Sequence, residues 1–139
     1  RAPNSLAHRT TWLRSDLKFI IFGAVNGFLS VAFGAFGAHI LEGRVSEYGM
    51  DIWQKAVTYQ MSHALALLFV ALLVSRYGMQ SLLKWTGYAF LFGIIVFSGS
   101  LYILALTKIS MLGAITPIGG ISFLVGWILV IQSVLKYEK

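Results

Sequence analysis

Apolar residues fall into four long runs separated by short polar stretches. They extend from Phe19 to about Ile40, Ala56 to Val74, Trp85 to Leu106, and about Leu112 to Leu135. Each run has about the 20 residues with which an α-helix crosses a hydrocarbon core of ~30 Å. Nowhere do polar and apolar residues alternate with a period of two, so a β-barrel is not expected. The pattern predicts an all-α membrane protein: a four-transmembrane-helix bundle that forms one domain over residues 19–139. Residues 1–18 read as an N-terminal tail, native or the remnant of a tag. Their Arg-rich, acid-poor make-up is also that of a transit peptide.

Composition strengthens this reading. Of the 139 residues, 58% are hydrophobic and 12% are charged, and mean hydropathy is +0.77. A soluble domain carries about a quarter charged residues, and a chain this short cannot hide so much apolar surface in its own core. The chain has no cysteine, which excludes disulfides, thiolate metal sites, iron–sulfur clusters and a cysteine nucleophile. The net charge of +6 is spread over the links and ends, with no basic face that would suit a nucleic acid.

That charge instead predicts topology. Arg1, Arg9, Arg14 and Lys18 precede the first run, Arg76 and Lys84 lie between the second and third, and Lys136 and Lys139 follow the fourth. The opposite side carries Arg44, Lys55 and Lys108, with Glu42, Glu47 and Asp51 beside them. The excess of basic residues on the first side places both termini in the cytoplasm. Trp12, Trp53, Trp85 and Tyr137 sit near expected helix ends, where amphipathic rings anchor at the interface. The one sizeable link, EGRVSEYGMDIWQK, reads as a turn that leads into helix two, with Asp51 in that helix's first turn.

In the first helix Gly23, Gly27, Ser30, Gly34 and Gly37 recur at spacings of 4, 3, 4 and 3, which makes a stripe of small residues. Lipid supplies little hydrophobic drive between helices, so close backbone approach matters, and the stripe reads as a packing seam. It could face helices of the same chain or of another protomer. Gly87, Gly93 and Gly99 in helix three, and Gly119, Gly120 and Gly126 in helix four, allow similar approach. Thr116 and Pro117 are expected to open the fourth helix, where a proline costs no hydrogen bond.

The polar residues inside the runs carry the candidate chemistry. Trp53, Ala56, Gln60, His63 and Leu67 share one face of helix two, and Tyr59 adjoins it. Polar groups in hydrocarbon must meet protein or water. His39, Ser98, Ser100, Tyr102 and Thr116 supply partners, all in the half of the span away from the termini. Asn26 is the exception, deep in helix one beside the seam. These residues are expected to form one polar cluster of His39, Tyr59, Gln60, His63, Ser98, Ser100, Tyr102 and Thr116. Interhelical hydrogen bonding is the plainest role for it. A path or pocket for a proton or small solute is the alternative, since histidine titrates near neutrality. A bis-histidine haem between His39 and His63 is a third idea, but His39 projects away from the seam. A zinc site lacks a third ligand, and a Ser–His pair lacks an acid to orient it. Catalytic, metal and cofactor residues are therefore assigned as none.

Four ordered motifs carry a family resemblance: GAFGAHIL (Gly34 to Leu41), WQKAVTYQMSHALALL (Trp53 to Leu68), FSGSLYILAL (Phe97 to Leu106) and LGAITPIGGISFLVGW (Leu112 to Trp127). Together they resemble the domain of unknown function 423 family, related to the transmembrane protein 256 family. The resemblance covers roughly Lys18 to Tyr137. It implies a small four-helix protein of the bacterial cytoplasmic membrane, and no catalytic residue can be carried over from it. The expectation is a non-enzymatic accessory or structural protein in contact with the lipid bilayer. It would act as a homo-oligomer or beside a larger membrane complex. The alternative is a binding or transport module for a small polar solute, proton or lipid headgroup.

Overall fold

The structure, a computed structural model, describes residues 2–138, with side chains described from Leu17 onward. The side chains of Arg9, Trp12 and Arg14, with Arg1 and Lys139, lie outside the described residues, as do most side chains of the expected tail. Helix α1 runs Ala2–Phe36 and continues through a π-helical turn, Gly37–Leu41. Helix α2 spans Glu47–Tyr77. Helix α3 (Ser81–Gly93), a second π turn (Ile94–Ser98) and α4 (Gly99–Thr107) form one continuous third span. Helix α5 spans Leu112–Tyr137. Four segments are long and apolar enough to cross a membrane: Leu17–Leu41, Glu47–Tyr77, Ser81–Thr107 and Leu112–Tyr137.

Helix α2 starts well before the expected Ala56, and most of the supposed link is helical. The Ser46 hydroxyl caps it by accepting from the Gly49 amide at 2.9 Å, and Glu47 supplies the first-turn acid. Asp51 therefore lies in the second turn, not the first, where it pairs with Lys55 at 3.3 Å on the exposed surface. Gly49, inside the stretch that reads as a turn, lets α2 approach the Ala105 carbonyl. Pro117 lies inside α5, not in its first turn. It therefore leaves the Gly113 carbonyl without an intrahelical amide.

Helices α2 and α3–α4 are the inner members of the bundle. Their most apolar windows are 50% and 44% buried, against 17% for those of α1 and α5. One apolar cluster gathers Phe19, Leu67, Val70, Val74, Leu83, Phe90 and Phe123 at the end that holds the C-terminus. There Glu138 accepts from Arg76 at 2.8 Å and from the Tyr77 hydroxyl. The Tyr77 hydroxyl and then Arg76 hold the Glu138 carboxyl below the usual carboxylate range. A second cluster of Leu41, Ile52, Trp53, Ala56, Leu101 and Leu104 occupies the far end. Trp53, expected at the interface, is 3% exposed. Its indole found an acceptor inside the bundle, the Phe33 carbonyl at 2.8 Å.

Aromatic rings fill notches left by glycines on neighbouring helices. Phe19 lies over Gly87, Phe123 over Gly93, Phe90 over Gly126 and Trp53 over Gly37. Gly23 packs against the Ala64 carbonyl and Leu68. The seam is thus largely intramolecular and faces α2. Gly27 is its open position, with nothing near a Cβ built there, and Gly99 is likewise open. Gly119 meets the backbone of Phe97 in the second π turn. Gly119→Ala is therefore expected to destabilise the protein by roughly 1–3 kcal/mol, because backbone cannot step aside. Gly27→Ala is expected to be neutral or slightly stabilising. Thermal unfolding of both variants in one detergent checks this, and equal losses would refute the packing assignment.

Candidate functional site

The expected single cluster is resolved into separate groups. The largest is a hydrogen-bonded chain across three helices. The Tyr102 hydroxyl on α4 donates to Gln60 Oε1 on α2 at 2.7 Å. Gln60 Nε2 donates to Asn26 Oδ1 on α1 at 2.9 Å, and Asn26 Nδ2 donates to the Phe22 carbonyl at 2.8 Å. The order is forced from one end. A backbone carbonyl only accepts, so the Asn26 amine must face Phe22, and each later group follows. Gln60 is 4% exposed, so these partners replace water. Asn26, set apart in the sequence reading, is a central member.

His63 belongs to a second group, between α2 and α5. Its Nε2 lies 3.0 Å from Trp127 Nε1, and its Nδ1 lies 3.0 Å from the Tyr59 carbonyl. An indole N–H only donates, so Nε2 accepts and carries no proton. Nδ1 then bears the proton and donates to the carbonyl. His63 is neutral, with both nitrogens engaged. Phe123 stacks on it at 3.7 Å between centroids, at 14°. Ser62 Oγ lies 3.1 Å from Nδ1, but a protonated Nδ1 cannot take the serine's proton, so the pair has no base for nucleophilic attack.

The remaining expected members are placed as follows. Ser98 Oγ donates to the Ala56 carbonyl at 2.8 Å, tying the second π turn to α2. Ser100 and Thr116 share a hydrogen bond of 2.6 Å between α4 and α5. Tyr59 is half exposed and contacts Phe97 and His63 through its ring. His39 lies exposed on the first π turn, away from the others. It turns outward because the seam side of α1, at Gly37, packs on Trp53. With Nε2 of His63 committed to Trp127, the pair does not offer two free ring nitrogens to a haem. Among the described residues no three His, Asp or Glu converge as metal ligands.

Because α2 begins at Glu47, His63 lies ~24 Å from its start and ~21 Å from its end at 1.5 Å per residue. The polar layer is thus near mid-helix, between the two apolar clusters, and not confined to one half. Sequence reasoning missed Trp127 as the partner of His63. Its position within a helix, far from the ends where anchoring rings sit, was the available signal.

These features define a polytopic membrane protein with a polar middle layer. The family model described as "Protein of unknown function (DUF423)" matches residues 33–120. A UPF0382 membrane protein of Staphylococcus epidermidis is 50% identical over 119 residues, covering 86% of this chain and 96% of the relative. The UPF0382 membrane protein YwdK of Bacillus subtilis is 46% identical over 119 residues, covering 86% and 97%. No solved structure matches the chain. The chain belongs to the domain of unknown function 423 family of bacterial membrane proteins.

Nitrogen NMR of labelled His63 at neutral pH is expected to report the neutral, Nδ1-protonated ring. Trp127→Phe should cost about 1–3 kcal/mol of stability by leaving Nε2 without a donor. A proton found on Nε2, or an unchanged stability, would contradict the assignment.

Proposed function

We propose that the protein is a non-enzymatic accessory or structural component of the bacterial cytoplasmic membrane, with both termini in the cytoplasm. The carrying observation is that the buried polar groups spend themselves on one another: Tyr102, Gln60 and Asn26 in one chain, His63 and Trp127 in another. A solute path needs polar groups that exchange partners with the solute, and here these groups hold helices together. The excess of Lys and Arg on the termini side supports the orientation. The apolar outward faces of α1 and α5 suit lipid, a second copy or a larger membrane complex.

Tyr102→Phe is expected to lower stability by about 1 kcal/mol. Proteoliposomes of the native chain and of the variant are expected to leak protons and small polar solutes no faster than protein-free vesicles. Flux above background in the native chain that disappears in Tyr102→Phe would establish the transport reading instead.

A further inference from the structure

A cavity apart from the polar layer has a lysine at its rim and apolar walls below. It has a volume of about 330 Å³ and lies at the end of the bundle opposite the C-terminus, between the start of α2, the end of α4 and the start of α5. Ile52, Leu104 and Ala105 form its floor and are buried. Ser46, Lys108 and Ser110 stand at its rim. Lys108 makes no ion pair among the described residues, whereas Lys55 at the same end is tied to Asp51. Glu47, the acid nearest to the rim in sequence, is exposed and does not pair with Lys108. The link that holds Lys108 also exposes Ile109 and Met111, and Tyr48 stands exposed beside Ser46. Gly113 lines the wall.

An unpaired cation above a buried apolar floor, at the level where membrane-spanning helices end, suits an anion that carries an apolar tail, here in the leaflet away from the termini. We propose that this cavity seats the phosphate headgroup of an anionic phospholipid. Lys108 binds the phosphate by a charge-assisted hydrogen bond, and Ser46 and Ser110 offer hydroxyls to its oxygens. The first carbons of the acyl chains rest on Ile52, Leu104 and Ala105. A free phosphate would use the cation and leave the apolar floor uncovered, so the ligand is a lipid. The site is distinct from the polar layer and uses none of its residues.

Two variants separate charge from shape. Lys108 has φ +62°, a left-handed conformation that glycine adopts more easily. Lys108→Gly therefore removes the cation while easing the backbone. At Gly113 a Cβ would meet only Leu104, at 3.9 Å, so Gly113→Leu can extend into the cavity and fill it. Native mass spectrometry of the full chain, titrated with phosphatidylglycerol or phosphatidylcholine, reads the result. One phosphatidylglycerol is expected to be retained in preference to phosphatidylcholine. Lys108→Gly should weaken it about tenfold, Gly113→Leu should remove it, and Lys55→Gln should change nothing. Equal retention of both lipids, or undiminished binding by Lys108→Gly, would overturn the proposal. Competition by glycerol 3-phosphate at the lipid's own concentration would also overturn it, in favour of a soluble phosphate ligand. Thermal unfolding monitors the fold of each variant. Should Gly113→Leu not fold, Lys108→Gly decides alone.

Discussion

Gln60 has a donating end and an accepting end, and the hydrocarbon around its span can satisfy neither. An unpaired amide there costs several kcal/mol, so both ends must meet other helices. The donating end meets Asn26 of α1 and the accepting end meets Tyr102 of α4. One side chain thereby sets α1 and α4 around α2 and fixes their heights. Lipid is as apolar as the clusters above and below, so their burial alone would not resist a slip of α1 along α2. A slip of one turn would separate Gln60 from Asn26, take Trp53 from the Phe33 carbonyl and unseat its ring from Gly37. His63 and Trp127 impose the same condition on α5.

Close packing supplies what the few hydrogen bonds do not. With no water to expel between helices, contact depends on how near they can approach, and glycine opposite an aromatic ring gives a deep interlock. The interlocks run both ways between α3 and α5: Phe123 of α5 lies over Gly93, and Phe90 of α3 lies over Gly126. The second π turn takes part as well. It carries Phe97 against Gly119 and directs Ser98 onto the Ala56 carbonyl, so one irregular turn touches both α5 and α2. Such a turn inserts a residue into the helix and shifts the face presented beyond it. That shift lets α3 and α4 use different faces of what is otherwise one helix.

Much of this fold was legible in the sequence, and the rest was hidden for physical reasons. The spans were legible because length and apolarity are properties of single segments. The buried face of α2 was legible because Trp53, Gln60 and His63 share a helical stripe. Partnerships were harder, since each depends on two helices at once. Trp127 counts among the hydrophobic residues of the fourth run, so only its place in mid-helix hinted that its N–H bonds inward. Asn26 was visible as a deep polar residue, but only the packing of α1 on α2 brings it to Gln60. Trp53 read both as a ring near a helix end and as a member of that stripe, and the Phe33 carbonyl that decides for the stripe is on another helix. The π turns left no compositional trace.

The same economy that makes the interior stable constrains where activity can reside. Asn26, Gln60 and Tyr102 are joined in a chain that ends on a backbone carbonyl, and His63 has both nitrogens engaged. A ligand that competed for the bonds joining these helices would loosen the bundle by about as much as it gained. The surfaces carry no such penalty. The outward faces of α1 and α5 are apolar and mostly exposed, and the end cavity holds a lysine with no acidic partner among the described residues. Binding there adds contacts without subtracting any from the core. A chain this small, with its buried polar groups committed to holding four spans in register, has its margin for recognition on the outside.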